Sequence, residues 1–234
     1  WILGEEVSQF EKSFAEFIGT RFCVGVCCGT HAIYLALKAL GIGQGDEMIT
    51  SSHTFKATLS AIIDTGAKPV IVDIDNNGLI DPTEVEKAIT LRTKIIMPVH
   101  IAGQVCDGWY LRDMAKTKSL YLIEDSCQAI GAKRAFDNQW DYGNMIRNAG
   151  NFGDIGCFSF YPAKILGSLG DAGAITTNRE DVYNYIKEAR NHFKGTNQEF
   201  GGNYRMDNLQ VAWLNIRLKY IDEILARRKE IAER

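Results

Sequence analysis

The sequence lacks any apolar run long enough to cross a bilayer as a helix, which excludes a helical membrane span within these residues. It also lacks an excess of charge. With 26 Lys and Arg against 29 Asp and Glu, the net charge is -3. No basic field marks a nucleic acid or an anionic membrane as partner. The six cysteines, Cys23, Cys27, Cys28, Cys106, Cys127 and Cys157, include no C-x-x-C pair. That removes the usual signature of structural zinc, and no metal-ligand set is expected. Most of these cysteines lie in apolar, strand-like surroundings and read as reduced, buried small residues of a cytoplasmic protein. No signal-peptide pattern is read, although the chain begins at Trp1 rather than at a methionine, which leaves an upstream piece open.

What is present is ordinary globular composition, 46% hydrophobic and 24% charged over 234 residues. The length suits one large domain, or a large domain plus part of another. Residues Glu6 to Ile18 read as a helix with Val7, Phe10, Phe14 and Ile18 on one face. Phe22 to Val26 reads as a strand, Cys28–Gly29–Thr30 as a turn, and the following helix ends near Gly41. "DEMIT" reads as a strand, "TFKATLSAIIDTG" as a helix and "KPVIVDID" as a strand. "DPTEVEKAI" reads as a helix capped by Asp81, with Pro82 in its first turn. "TKIIMPVH" and "SLYLIED" are strands around the helix "WYLRDMAKTK". After Asp207 one long amphipathic helix is expected to run toward Arg234. Such alternation predicts an α/β fold, three layers with a mostly parallel central sheet covered on both faces.

In sheets of this kind ligands gather beyond the carboxyl ends of the strands. The polar residues just past each strand are Gly29 and Thr30, His53 to Phe55, His100, Asp125 and Gln128, then Ser159 and Lys164. Each has a plainer reading alone. A lysine before glycines is often a solvated loop residue, "ED" a capping pair, Cys28–Gly29–Thr30 a tight turn, Phe55 a core aromatic. Together they match pyridoxal 5'-phosphate. That cofactor needs an amine for a Schiff base and a carboxylate at its pyridine nitrogen. Its phosphate suits N–H groups at a helix N-terminus, and its flat ring suits an aromatic face. Lys164 is the only lysine among these positions.

The stretches "ILGEEVSQFEKSFAEFIG", "GTHAIYLALKALGIGQGDEMIT", "HTFKATLSAI", "GAKPVIVDID", "TKIIMPVHIAGQ", "IEDSCQAIGA", "GDIGCFSFYPAK", "LGDAGAITTN" and "GGNYRMDNLQVAWL" run along nearly the whole chain. In these the sequence resembles the DegT/DnrJ/EryC1/StrS sugar aminotransferases, fold type I enzymes of pyridoxal phosphate. The resemblance implies that Lys164 forms the Schiff base and that Asp125 pairs with the pyridine nitrogen. It places Gln128 at the phenolic oxygen, Phe55 on the ring, and Gly29, Thr30 and Ser159 at the phosphate. It implies a homodimer in which Asn203 reaches the neighbour's phosphate. The implied reaction moves an amino group from an amino acid, glutamate by preference, to a nucleotide-linked keto-sugar. Residues 1–207 would be the cofactor-binding large domain, and 208–234 a helix leading to a smaller C-terminal domain absent from this chain.

Departures from the family pattern are also visible. Cys28 stands where the family usually has a small hydroxyl residue, and a thiol is the weaker donor. Residues 133–151, with Trp140, Tyr142 and Arg147, are longer than the usual hairpin. They read either as a polar surface insertion or as a substrate lid or dimer contact. "GIGQGDE" looks like a dinucleotide fingerprint, but it follows a helix and opens none, so Gly41 is read as a helix C-cap. Two rival functions stand beside transamination. One is a related sugar dehydratase, against which Lys164 speaks, since the family's dehydratases carry histidine there. The other is a catalytically degenerate regulatory or scaffold protein.

Overall fold

The computed structural model describes residues 2–135, 145–194 and 201–234. Helix α1 (Glu5–Ile18) precedes β1 (Phe22–Val26), α2 (Gly29–Ala39), β2 (Glu47–Ser51), α3 (Lys56–Asp64) and β3 (Lys68–Val72). Then come α4 (Pro82–Ala88), β4 (Thr93–Met97), α5 (Gly108–Thr117) and β5 (Tyr121–Asp125). A two-stranded ribbon of β6 (Lys133–Ala135) and β7 (Ile146–Asn148) leads to β8 (Ile155–Ser159) and β9 (Gly173–Thr177). Helices α6 (Glu180–Ala189), α7 (Asn208–Lys219) and α8 (Ile221–Ala232) follow.

The central sheet has seven strands in the order β1-β9-β8-β5-β4-β2-β3. From β8 to β3 all pairings are parallel. Strand β9 pairs antiparallel with both β8 and β1, so it alone runs against the others. Period-two alternation sends neighbouring apolar residues to opposite faces. Ile95, Ile123 and Cys157 pack on one side with α2, α3 and α6. On the other side Ile96 and Leu122 meet α4 and α5, while Phe158 meets α1 and α7. The expected three-layer α/β architecture is therefore what the chain adopts.

Helix boundaries follow local chemistry. Phe10 and Phe14 of α1 are fully buried, and Gly19, at φ 85°, ends the helix with its N–H on Ala15 and Glu16 carbonyls. Asp81 caps α4 by accepting the Thr83 N–H. At the end of α2, Gly41 has φ 72° and donates to Lys38 O, and Ile42 donates to Leu37 O. That paired pattern is a Schellman stop, so "GIGQGDE" closes a helix rather than cradling a dinucleotide.

One expectation needs correction. The helix after Asp207 is broken at Tyr220, whose φ of -107° and ψ of 14° separate α7 from α8. The Tyr220 N–H turns back to Arg217 O, a tighter bond than an α-helix uses. Val211, Leu214, Leu218, Ile221 and Leu225 enter one core across the break. Their spacing keeps the helical period throughout, so the pattern carries no sign of the interruption. Among the described residues no helix is long and apolar enough to cross a membrane.

Candidate active site

Three strand ends build the site. Strand β1 runs into the Cys28–Gly29 turn, β5 ends on Asp125 and β8 ends on Ser159. They converge on a cavity of about 580 Å³. Its wall includes Gly29, Thr30, Phe55, Asp125, Gln128, Ser159 and Lys164, seven of the eight residues expected from sequence.

One end of the cavity is shaped for an anion. Two glycines let the start of α2 settle against the sheet. A Cβ on Gly173 of β9 would lie 2.5 Å from the Cys28 carbonyl carbon and 2.8 Å from Gly29 N. A Cβ on Gly29 would lie 2.8 Å from Ser159 Cβ. No side chain caps the first turn of α2. The helix N-terminus therefore presents N–H groups and a partial positive charge beside the Ser159 hydroxyl.

The other end holds the acid. Asp125 is 5% exposed. Thr58 Oγ1 donates to its Oδ2 at 2.7 Å, and Cys127 N–H donates to its Oδ1 at 3.2 Å. Both oxygens are thus oriented before any ligand arrives. Its neighbour Glu124 points to the other face and is fully buried. Glu124 accepts N–H groups from Gly150, Phe152 and Gly153 at 2.7–2.8 Å. It also meets His100 Nε2 at 2.8 Å. Cys106 N–H donates to His100 Nδ1. Nδ1 therefore keeps a lone pair, and the ring proton sits on Nε2, facing Glu124. The "ED" pair is accordingly split: Glu124 ties a loop to the sheet, and Asp125 faces the cavity.

Lys164 lies on the excursion between β8 and β9. Phe160 N–H bonds Ala172 O, Ser168 N–H bonds Phe160 O, and Lys164 N–H bonds Tyr161 O, each at 2.8 Å. From α7, Trp213 Nε1 bonds Gly167 O and Arg217 Nη2 bonds Ile165 O. Phe55, the N-cap residue of α3, is 66% exposed although large and apolar, and it borders the cavity. Gln128 Oε1 accepts Ala102 N–H at 2.8 Å, which leaves its amide NH₂ as the free donor end. Asn203 is absent from this wall. It is exposed, bridges Asn191, and its Oδ1 accepts Arg205 Nε at 2.9 Å.

Several wall residues were not anticipated: Thr58, Tyr161, Cys127 and Asp171. Thr58 carried a local signal, since it lies one helical turn after Thr54 and near Phe55 at the start of α3. Cys28 departs from the family's hydroxyl as expected, and its sulfur lies 3.3 Å from His31 Nδ1. Hydrogen bonding from Cys27 and the adjacent His31 hold the Cys28 thiol well below the ordinary thiol range. Of the 133–151 segment, Trp140 and Tyr142 lie outside the described residues. Arg147 packs its guanidinium 5.0 Å from the Trp109 ring centroid and donates to Asn151 O, a structural contact on α5.

Known proteins resemble this chain in sequence and in fold. A dTDP-3-amino-3,6-dideoxy-alpha-D-galactopyranose transaminase from Aneurinibacillus thermoaerophilus is 44% identical over 236 residues, covering 99% of this chain and 62% of that protein. The structure of S. venezuelae DesV in complex with a ketimine intermediate superposes with a TM-score of 0.87 at 40% identity, covering 95% of this chain and 58% of that one. That of ntda from Bacillus subtilis with bound cofactor pmp gives a TM-score of 0.83 at 36% identity, covering 94% of this chain and 49% of that one. The chain spans about three fifths of the length of the curated relatives it matches. Matched along residues 1–234, it belongs to the DegT/DnrJ/EryC1/StrS aminotransferase family.

Proposed function

We propose that this chain forms the pyridoxal phosphate-binding part of an aminotransferase that moves an amino group from an amino acid, glutamate by preference, to a nucleotide-linked keto-sugar. The observation that carries this is the cavity in which Lys164 and Asp125 meet the uncapped N-terminus of α2. The donor set fits the cofactor group by group. Gly29, Thr30 and Ser159 would hold the phosphate, Phe55 would offer an aromatic surface to the ring, and the Gln128 NH₂ would donate to the phenolic oxygen. Pyridoxal phosphate supplies an electron sink for the charge that develops at the donor's Cα. Asp125, fixed by Thr58 and Cys127, holds a proton at the pyridine nitrogen. Lys164 carries the cofactor and moves the proton at the substrate carbon. Residues 1–207 act as the large domain, and 208–234 lead toward a further domain, in keeping with the longer relatives. The test uses the full-length protein: a cofactor absorbance change with glutamate, followed by turnover across a panel of nucleotide keto-sugars. A cofactor spectrum unmoved by every amino acid donor would defeat the proposal.

Asp125→Asn keeps the shape of the acid but cannot hold the pyridinium proton. Turnover is expected to fall by roughly 2 to 4 kcal/mol in barrier terms, the scale of one preorganised electrostatic contact. Steady-state kinetics on the variant checks this, and wild-type turnover would mean that another group serves the ring nitrogen.

The second part of the proposal concerns assembly. Asn203 is exposed and outside its own chain's cavity, which supports a place in a partner's site across a two-fold axis. Mixing Lys164→Ala with Asn203→Ala tests it. If the two residues serve from different chains, each mixed dimer keeps one intact site. Random exchange then restores about a quarter of wild-type activity. The test presumes that Asn203→Ala is severely impaired alone. No rescue, with exchange confirmed, would place both residues in one chain's site.

A further inference from the structure

At the anion end of the cavity, whose wall includes Cys28, lies a cluster to which the proposed transamination assigns no proton transfer. Cys27 directly follows β1, Cys28 is the N-cap of α2, and His31 stands on the helix's first turn. Cys27 Sγ lies 3.1 Å and Cys28 Sγ 3.3 Å from the same atom, His31 Nδ1. All three ligand-type atoms fall within 4.8 Å of one another. One imidazole nitrogen therefore faces two sulfurs. The backbone of Cys27 is held by its N–H on Tyr204 O, and the Tyr204 ring lies 4.7 Å from the His31 ring.

The distances suit a soft divalent ion. Zinc–sulfur bonds of about 2.3 Å and zinc–nitrogen bonds of about 2.0 Å in a tetrahedron require S···N of about 3.5 Å. The observed separations need to open by only a few tenths of an ångström. All three side chains are half-buried, so an ion has a path in and a fourth position for water. Thiolate with imidazole selects zinc-class ions over magnesium or calcium. A search for C-x-x-C pairs does not find this set, because the two sulfurs are adjacent in sequence and the helix supplies the nitrogen.

We propose that Cys27, Cys28 and His31 form a three-ligand site for a zinc-class divalent ion at the start of α2. Cys28 also lines the cavity, but the metal readout involves no turnover, so its failure and that of the aminotransferase reading are distinguishable.

The experiment titrates Co²⁺ into the full-length protein, loaded with cofactor, kept reduced by a phosphine and freed of metal. A thiolate-to-cobalt charge-transfer band should saturate at about one equivalent and vanish on adding Zn²⁺. Cys27→Ser and His31→Gln should each weaken binding by at least about 100-fold, the upper end of what losing a mere hydrogen-bond partner of a ligand costs. His31→Cys, which offers a third thiolate, should retain the band. Circular dichroism establishes that each variant is folded, and the wild-type titration stands without any of them. Cys127→Ser, altering the remaining half-exposed thiol, should leave the band unchanged. Absence of a band in the wild type, or a band that survives in both Cys27→Ser and His31→Gln, overturns the site. A band lost only in Cys127→Ser would do the same by locating the metal elsewhere.

Discussion

Lys164→Ala in the full-length protein should abolish the covalent cofactor absorbance and reduce transamination to background while the fold survives. The lysine is half-buried, and the loop that carries it is held by main-chain bonds from Phe160, Ser168 and Ala172, not by its own side chain. Trp213 and Arg217 donate to the carbonyls of Gly167 and Ile165, just after the lysine. Thermal stability in the absence of cofactor should therefore stay within about 0.5 kcal/mol of wild type, as for surface changes away from special features. Chemistry should fail outright, because among the described residues no second lysine borders the cavity. Borohydride reduction followed by peptide mapping is the decisive measurement. A reduced cofactor adduct on any other lysine of the variant would show that the Schiff base forms elsewhere.

Glu124→Ala should be the most destabilising single substitution in the region of the site. The carboxylate is fully buried, and its removal strands the N–H groups of Gly150, Phe152 and Gly153 and the proton on His100 Nε2. Hydrogen bonds to a charged group contribute about 1.5–3 kcal/mol each, but they share one acceptor and do not add. A loss of about 3–5 kcal/mol is expected, because several buried donors are left unpaired at once. For a domain of this size, that lowers the melting temperature by roughly 6–20 °C. Glu124→Gln, which keeps one acceptor oxygen, should recover part of the loss. Thermal denaturation of both variants checks the order. A Glu124→Ala protein as stable as wild type would show that water or a rearranged loop replaces the carboxylate.

What the sequence made legible was whatever announces itself locally. Asp125 and Ser159 end apolar runs, Gly29 and Thr30 open a helix, and Phe55 stands just past β2. The rule that ligands collect beyond strand ends was enough to gather them. Lys164 was found the same way, since its loop follows β8 directly. Glu124 shows the opposite case. Its partners come from residue 100 and from residues 150 to 153, and nothing near position 124 announces them. Thr58 carries the orientation of Asp125 across 67 positions of sequence. The break at Tyr220 was invisible because the apolar period passes through it unchanged. Asn203, read from resemblance alone, is not part of this chain's own cavity wall.

Strand β9 sets the timetable on which this protein is made. Strand β1 is synthesised early, yet among the described residues its sole neighbour in the sheet is β9, about 150 residues later. At about 5–20 residues per second, the ribosome needs roughly 10–30 s to deliver that partner. For that interval β1 has no place in the sheet, and the Cys28–Gly29 turn has no Gly173 to settle against. A nascent chain halted before β9 thus has the acid of the site but not its anion end. Cofactor capture belongs after translation has passed Thr177, and a ribosome pausing in the Lys164 loop would leave an apolar edge exposed to aggregation.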